Sequence, residues 1–239
     1  LLVKYGLVKV DSGVFKRGDN QQYEVYLDSF SIGSYEVTNL AYAIFLNRYG
    51  SNKVKTGEYS RQKMIYESVW GLTNNDAGIW EVSTEGYDFH PVVSVTWYGA
   101  NEFCKFYGGH LPTEAQWEYT ARGGRETKGY RYAGSDEIEE VAWYAKNAAG
   151  TNGVGLKKPN ELVLYDMSGN VWEWCSDWYA EGYYSSAPRE NPTGPTGGTL
   201  RVLRGGSWHF FALLCTVSHR NRYYPSGNIS SSYGFRFAL

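Results

Sequence analysis

The chain contains only three cysteines, Cys104, Cys175 and Cys215, in 239 residues. They lie far apart and show no paired spacing, so the sequence predicts neither a zinc cluster nor a disulfide framework. At most one bridge can form. Protein classes that are held together by zinc or by several disulfides are thereby excluded.

Long apolar runs and runs of basic charge are also missing. No segment is long and apolar enough to span a bilayer, and residues 1–3 are too few for the apolar core of a signal peptide. The formal net charge is −2, so we expect neither nucleic acid nor an anionic membrane as a partner. If the protein is exported, or anchored to a membrane as a lipoprotein, the address is expected upstream of Leu1.

Aromatic residues and glycine are abundant, with 22 Tyr, 9 Trp and 28 Gly. Most of the rings are expected in the core, although Tyr and Trp also supply contact area in binding sites. The glycines and the short apolar runs predict many turns and little regular structure. With 42% hydrophobic residues the chain can bury one large core, and we expect a single domain over residues 1–239.

The first part of the chain is predicted to hold short strands and one helix. Residues 3–37 alternate partly between apolar and polar types and are broken by glycine, which predicts several strands. A helix is predicted to begin at Thr38 or Asn39 and to end at Gly50. Residues 51–90 are expected to form an irregular connection.

Two further helices are predicted in the middle of the chain. Residues 90–95 are predicted as a strand that leads into a helix capped by Thr96 and extending to about Tyr107. Thr113 and Gln116 stand at capping-box spacing and predict a third helix. The two helices are therefore expected to be adjacent in sequence.

Residues 201–239 form the stretch on which the functional prediction depends. It opens with the block 204–208 (RGGSW) and closes with the block 233–237 (YGFRF), in which glycine permits tight backbone and aromatic rings fill core. The residues between these blocks fit neither a helical stripe nor strict alternation. Such a stretch is predicted to be a catalytic loop or a binding loop.

Residues 162–174 combine carboxylates, an amide and a glycine with several aromatic rings. Asp166, Gly169, Val171 and Glu173 could supply the carboxylate and carbonyl oxygens that a hard cation such as calcium prefers. The alternative is that Asp166 and Glu173 hydrogen-bond nearby backbone while the tryptophans fill core. Spacing alone leaves both interpretations open.

Long motifs occur along nearly the whole chain, at residues 36–39 (EVTN), 90–92 (HPV), 111–118 (LPTEAQWE), 169–174 (GNVWEW), 204–208 (RGGSW) and 234–236 (GFR). In these motifs the chain resembles the formylglycine-generating, sulfatase-modifying family. The resemblance implies an α+β domain with a variant of the C-type lectin fold, few regular elements and long irregular loops. It also implies calcium as a structural ion, because Asp166, Gly169, Val171 and Glu173 match the family's ligand pattern position by position.

Catalysis in the oxidising members of that family needs two cysteines, five apart, whose thiolates bind copper and activate oxygen. Counted forward from Gly205, the first of these positions is Phe210 here, and only the second, Cys215, remains. One thiolate cannot supply a two-coordinate site for a soft metal. Copper is therefore not expected, and no cofactor is required by the predicted function.

The irregular stretch also resembles the variable region of retroelement-diversified proteins of the treponemal variable type. That system turns adenine-rich codons into codons that cannot encode Lys, Glu, Gln, Met or Trp, and residues 209–232 contain none of the five, where usage elsewhere in the chain predicts about five. Ala212, Cys215, residues 216–218, Arg220 and Pro225 are then expected to be fixed scaffold. The predicted variable, ligand-binding positions are His209, Phe210, Phe211, Leu213, Leu214, His219, Asn221, Arg222, Tyr223, Tyr224, Ser226, Gly227, Asn228, Ile229, Ser230, Ser231 and Ser232.

These patterns favour a non-catalytic binding protein at the cell surface or outside the cell. It would present residues 209–232 to a protein or another macromolecular ligand, with large side chains such as Phe210 and Tyr224 as anchors and Arg222 as a polar contact. The alternative is that several of the large side chains are buried, with Leu213 and Leu214 as the first candidates for partial burial. A monomer is expected.

Two other functions stay open. One is an enzyme of the same family, either a sulfatase-modifying oxidoreductase or an iron-dependent oxygenase. Iron would need two histidines and a carboxylate, and His209 and His219 are close in sequence. The other is a structural or accessory member of the family whose loop has simply diverged.

Overall fold

Short strands and a few helices are joined by long irregular segments in the computed structural model, which describes residues 6–227 and 230–239. The helices are α1 (Asn39–Tyr49), α2 (Trp97–Phe106), α3 (Glu114–Ala121), α4 (Ile138–Val141) and α5 (Tyr183–Ser186). The strands are β1 (Leu7–Val10), β2 (Gly13–Arg17), β3 (Tyr23–Leu27), β4 (Phe30–Gly33), β5 (Leu72–Asn74), β6 (Trp80–Val82), β7 (Trp172–Trp178), β8 (Arg201–Arg204), β9 (Arg220–Tyr223) and β10 (Tyr233–Gly234). The predicted mixture of α and β structure is confirmed.

The three longer helices begin where the sequence predicts. The hydroxyl of Thr38 accepts a hydrogen bond from the first turn of α1, and Thr96 caps α2 in the same way. Thr113 and Gln116 form both bonds of a capping box at the start of α3. Gly50 ends α1 with a φ of 68°, a backbone conformation that glycine adopts without strain.

Two predictions for the middle of the chain are wrong. Residues 90–95 form only isolated bridges instead of a regular strand, because Ser94 has a positive φ of 57° that interrupts the extended backbone. The predicted loop at 51–90 contains the hairpin β5–β6. The side chain of Asn75 closes its turn by accepting hydrogen bonds from Ala77 N and Ile79 N.

A four-stranded sheet carries the C-terminal half, in the order β10-β7-β8-β9. Its register pairs Trp174 with Leu203 and Leu203 with Asn221, while the neighbouring row pairs Glu173 with Arg204. Successive residues of a strand point to opposite faces, so the sheet has one largely apolar face and one charged face. The strand β9 lies at the edge of this sheet.

Helix α3 covers the charged face of the sheet. Trp117 Nε1 donates to Glu173 at 2.8 Å, and Glu118 pairs with Arg204 at 2.8 Å. Both carboxylates are buried, so their partners offset the penalty of removing charge from water. These contacts fix the position of β8 and of the segment that follows it.

Aromatic side chains form much of the core, as predicted. The rings of Tyr42 and Phe103 stack with centroids 5.7 Å apart, and Phe235 meets Phe103 edge-on at 5.3 Å. Trp172 and Trp174 are fully buried on the apolar face of the sheet. In the described residues no helix has the length and apolar composition that a bilayer span requires.

Candidate binding face

We call the described chain outside residues 209–232 the frame, and the exposed part of 209–232 the binding face. One frame residue, Arg204, holds the middle of this segment by its backbone. Its guanidinium donates to the carbonyls of Ser218 and His219 at 2.7 Å and of Val217 at 2.9 Å. A fourth bond goes to Glu118 at 2.8 Å. The conformation of residues 217–219 therefore depends on a buried cation of the frame.

The end of the segment is also held by its carbonyl groups. The carbonyls of residues 230, 231 and 232 accept, in that order, from Ser94 N at 2.9 Å, Trp208 Nε1 at 2.8 Å and Trp172 N at 2.8 Å. The carbonyl of Pro225 accepts from Trp97 N at 3.0 Å. These contacts do not involve the side chains at 230–232, so the side chains can change without loss of the hydrogen bonds.

Among the described predicted variable positions six side chains are exposed, whereas the predicted fixed positions are all buried or partly buried. Phe211, Leu213 and Tyr224 are 74%, 64% and 60% exposed, whereas Cys215 and Pro225 are buried. His209, Arg222 and Ser226 are also exposed. The partly buried predicted positions are Phe210, Leu214, His219, Asn221, Tyr223, Gly227, Ser230 and Ser231.

Five predicted positions need separate comment. Leu214 is partly buried against the core, whereas Leu213 is exposed. The reason is that residues 212–215 form a short 3-10 helix, which turns the two neighbouring side chains in different directions. Ser232 is buried. Asn228 and Ile229 lie outside the described residues.

The ring of Trp172 brings together residues from both parts of the segment. Its centroid lies 5.7 Å from that of Phe210 and 5.9 Å from that of His219. Further along the sheet, Tyr223 contacts Tyr224 at 6.0 Å and the frame ring of Tyr233 at 5.3 Å. The binding face thus rests on a row of frame aromatics.

Arg222 lies apart from this aromatic row. It follows Asn221 on the edge strand, and its side chain projects from the opposite face of the sheet. There its guanidinium stacks on Tyr179 at 4.5 Å and donates to the hydroxyl of that residue at 3.1 Å. The predicted positions therefore surround an edge of the sheet and do not form one flat patch.

Cys215 does not have the environment of a reactive thiol. It is buried, and burial raises the pKa of its thiol to about 12. Its sulfur is a weak donor, 3.9 Å from the carbonyl of Phe211. The thiol is neutral at pH 7, whereas nucleophilic attack and copper binding need the thiolate.

The described residues contain no group of three or more His, Cys, Asp or Glu side chains that could hold a metal ion. His209 is exposed, and His219 is partly buried over Trp172, where burial lowers the pKa of its imidazole. The two histidines therefore have different surroundings. They do not share a site with a carboxylate in the way that the iron hypothesis requires.

The predicted calcium turn combines a free oxygen with an occupied carboxylate. Asp166 is buried, and burial raises its pKa to about 6. Its Oδ2 accepts from Gly155 N at 2.7 Å, and its Oδ1 has no hydrogen-bond partner in the described part of the chain. Glu173, in contrast, accepts two bonds of 2.6 Å from Arg236. Asp166 could face a cation, but Arg236 already neutralises Glu173, so the fit is incomplete and calcium stays a prediction.

The other two predicted ligands lie in the same turn. Gly169 has a positive φ of 82°, and its N–H donates to the carbonyl of Gly205 at 2.8 Å. Val171 is buried, and its N–H donates to Glu36 at 3.1 Å. These two hydrogen bonds hold the turn within the frame, whereas the atoms that a cation would bind are the carbonyl oxygens of the same residues.

A pair of stacked tryptophans beside the binding face was not predicted from the sequence. The rings of Trp70 and Trp208 lie 5.9 Å apart, and Trp208 also contacts the exposed His209 at 5.1 Å. Trp208 belongs to the block 204–208, which signalled its importance. Trp70 is an isolated aromatic in an irregular segment, and no sequence pattern indicates its partner.

Comparison with known proteins agrees with this geometry. The family model for the sulfatase-modifying factor enzyme 1-like domain matches residues 2–239. A relative named formylglycine-generating enzyme, from Streptomyces coelicolor, is 32% identical over 95% of this chain and 84% of its own length. A relative named serine/threonine-protein kinase pkn1, from Chlamydia pneumoniae, is 38% identical over 97% of this chain, which spans only 37% of that relative.

A solved structure supplies the second resemblance. Treponema denticola variable protein 1 superposes with a TM-score of 0.74 and is 26% identical, over 98% of this chain and 94% of that one. Both predicted resemblances and the predicted lectin-type fold are confirmed. Similarity of this kind leaves the choice between binding and catalysis to the site itself.

Proposed function

The chain belongs to the sulfatase-modifying factor enzyme 1-like family, and we propose that within this family it is a non-catalytic ligand-binding protein. Residues 209–232 would be its diversified region, and the frame would hold that region in one conformation. Display at the cell surface, through an anchor upstream of Leu1, is part of the same proposal.

One observation carries the proposal: the frame contacts the backbone of residues 209–232 while large side chains of the segment are exposed. Arg204 binds three successive carbonyls, and Phe211, Leu213 and Tyr224 are directed into solvent. A hydrogen bond to a backbone carbonyl does not depend on the side chain. Exposed aromatic and aliphatic groups in one region are typical of an interaction site.

The chemistry of the segment supports binding over catalysis. The family's oxidase reaction needs two thiolates, and this chain has Phe210 at the first position and a buried, neutral Cys215 at the second. Phe210 packs on Trp172, which is a structural contact. The absence of Lys, Glu, Gln, Met and Trp from residues 209–232 agrees with diversification of adenine-rich codons.

Sequencing the gene region in several isolates tests the proposal. We expect a nearby template repeat that differs at adenine positions, and we expect amino-acid differences concentrated at the predicted variable positions. Cys215 and Pro225, which are buried, should stay constant and serve as the internal control. A segment that is identical in all isolates, or no more variable than the frame, would contradict diversification and favour an accessory family member.

Catalysis is the alternative function, supported by the relative that is named formylglycine-generating enzyme. Metal analysis after incubation with copper, and oxygen consumption with a cysteine-bearing sulfatase peptide, distinguish the two functions. We expect less than stoichiometric copper and no peptide-dependent oxygen uptake. One copper per chain together with turnover would establish the enzyme and overturn the binding proposal.

A further inference from the structure

A buried arginine at the end of β2 has no hydrogen-bonded side-chain partner among the described residues. Arg17 is 1% exposed, and its Nε finds no acceptor in that part of the chain. In the described residues its guanidinium forms no hydrogen bond and no ion pair, and it stacks on Tyr184 at 3.9 Å with Tyr183 at 5.6 Å. A guanidinium carries five N–H donors, and a buried donor without an acceptor destabilises the folded state.

The acidic residues near Arg17 already bind other arginines. Glu114 accepts two bonds from Arg220, at 2.6 and 2.8 Å. Glu118 accepts from Arg204 and from Arg122, both at 2.8 Å. Neither carboxylate bonds to Arg17.

Asp177, the third carboxylate of this cluster, is engaged elsewhere as well. Its Oδ2 accepts from Glu114 N at 2.9 Å and from Ser176 Oγ at 3.0 Å. The cluster therefore contains the four arginines 17, 122, 204 and 220 against the three carboxylates 114, 118 and 177. Of these four arginines, Arg17 is the one whose guanidinium has no hydrogen bond to a carboxylate among the described residues, although Glu114 and Asp177 lie close enough for their charges to interact with it.

A groove of about 350 Å³ gives access to Arg17. Tyr23 and Tyr184 line one part of it, and His219 and Arg220 line another, so the groove borders the start of β9. The carboxylates of Asp19 and Glu181 also line the groove, but both residues are exposed, where water and salt screen their charge. The buried guanidinium is screened much less.

We propose that this groove binds an oxyanion, a carboxylate or phosphate group, against Arg17. A carboxylate and a phosphate each present two oxygens at a spacing that fits two parallel N–H donors of a guanidinium. The bound anion would supply the missing hydrogen-bond acceptors. Because the groove adjoins residues 218–220, an acidic group of a ligand on the binding face could occupy it. The site is formed largely by the frame, so the inference does not rest on the proposed function.

Nuclear magnetic resonance of the full chain, labelled with ¹⁵N, tests the proposal directly. The Nε–Hε signal of Arg17 is assigned in the wild type by through-bond correlation to its own side-chain carbons in a sample that also carries ¹³C. Sodium acetate and sodium phosphate are then titrated separately, with sodium chloride at matched ionic strength as the control. We expect a saturable shift of the Arg17 signal, while the signal of the exposed Arg222 follows ionic strength alone. Binding monitored at the amide of Gly18 should weaken at least tenfold in Arg17→Met, about 1.4 kcal/mol.

Each outcome has a defined meaning. Saturation by acetate alone assigns a carboxylate, saturation by phosphate alone assigns a phosphate, and saturation by both supports the shared oxyanion chemistry. A wild-type Arg17 signal that responds to neither anion beyond the chloride control would overturn the proposal, even if Arg17→Met does not fold. Retention of full anion affinity by a folded Arg17→Met would overturn it as well. Neither result bears on diversification of residues 209–232, which the isolate comparison decides.

Discussion

Replacing Arg204 with methionine tests whether the frame determines the conformation of the binding face. Methionine keeps an unbranched apolar side chain but removes the guanidinium, which binds the carbonyls of residues 217–219 and the carboxylate of Glu118. Glu118 keeps its hydrogen bonds to Arg122 and to Gly18 N, so the loss comes mainly from the three carbonyls left without a donor, at about 1–3 kcal/mol for each that stays buried. A domain has a total stability of about 5–15 kcal/mol, so the loss should be large but measurable.

Urea unfolding followed by tryptophan fluorescence measures this loss, with Arg222→Met as the matched control. Arg222 is exposed and lies on the same segment, so its replacement should change the free energy of unfolding by about 0.5 kcal/mol or less. Hydrogen exchange should also accelerate at the amides of residues 217–223.

A loss in Arg204→Met no larger than that in Arg222→Met would refute the reasoning. So would unchanged hydrogen exchange at residues 217–223 in a variant that is clearly destabilised. Either result would mean that residues 209–232 keep their conformation without the hydrogen bonds from Arg204 to their carbonyls. These bonds would then not be what allows the side chains to vary while the backbone conformation stays the same.

Three further predictions concern exposure, pH and metal. The double variant Phe211→Ser, Leu213→Ser should change the free energy of unfolding by about 0.5 kcal/mol or less in urea titrations, because both side chains are exposed. Leu203→Ala in the core should cost about 2–5 kcal/mol and serves as the control. A large loss in the double variant would place those two side chains in the core. Burial raises the pKa of Asp177 to about 7, so the folded state binds the proton more tightly than the unfolded state. Stability should therefore fall as pH rises from about 4, the unfolded pKa, to about 7, by up to about 1.4 kcal/mol per pH unit, with no further loss above that. Asp177→Asn should remove this slope between about pH 4 and 7, and an unchanged slope would exclude Asp177 as its source. Chelation of calcium should lower the melting temperature of the wild type and leave that of Asp166→Asn unchanged, because the free oxygen of Asp166 is the predicted ligand. Equal melting temperatures of the wild type with and without chelator would show that residues 166–173 bind no calcium.

Local sequence patterns were sufficient for the helix starts and insufficient for most long-range contacts. Thr38, Thr96 and Thr113 were predicted as caps because a cap involves only residues within one turn. The hairpin β5–β6 was missed, since its strands have three residues each and show no measurable period. The difference in exposure between Leu213 and Leu214 could not be predicted either, because a 3-10 turn in an irregular segment has no repeating pattern.

The candidate site shows the same limit at larger separations. The resemblance to known motifs placed the binding face at residues 209–232, but it gave no information on the contacts beneath it. Glu173 meets Arg236 across 63 residues, and Arg204 meets Glu118 across 86. Arg17 stands at an inward-facing position of β2, two residues after the partly buried Phe15, and this alternation was the one signal that a charge is buried there.

The hydrogen bonds from the frame to carbonyls of residues 209–232 affect how many different sequences this segment can accept. At the predicted variable positions 210, 219, 230 and 231, which are partly exposed, the frame contacts the oxygen of the peptide group. All twenty amino acids possess that oxygen, including proline, which lacks the N–H. A codon change at these positions therefore alters what a ligand encounters and leaves those attachment points in place. If each of these positions tolerates substitution in this way, the number of segments that can fold is the product of the numbers of residues tolerated at each position. One unchanged frame can then present a very large family of recognition surfaces.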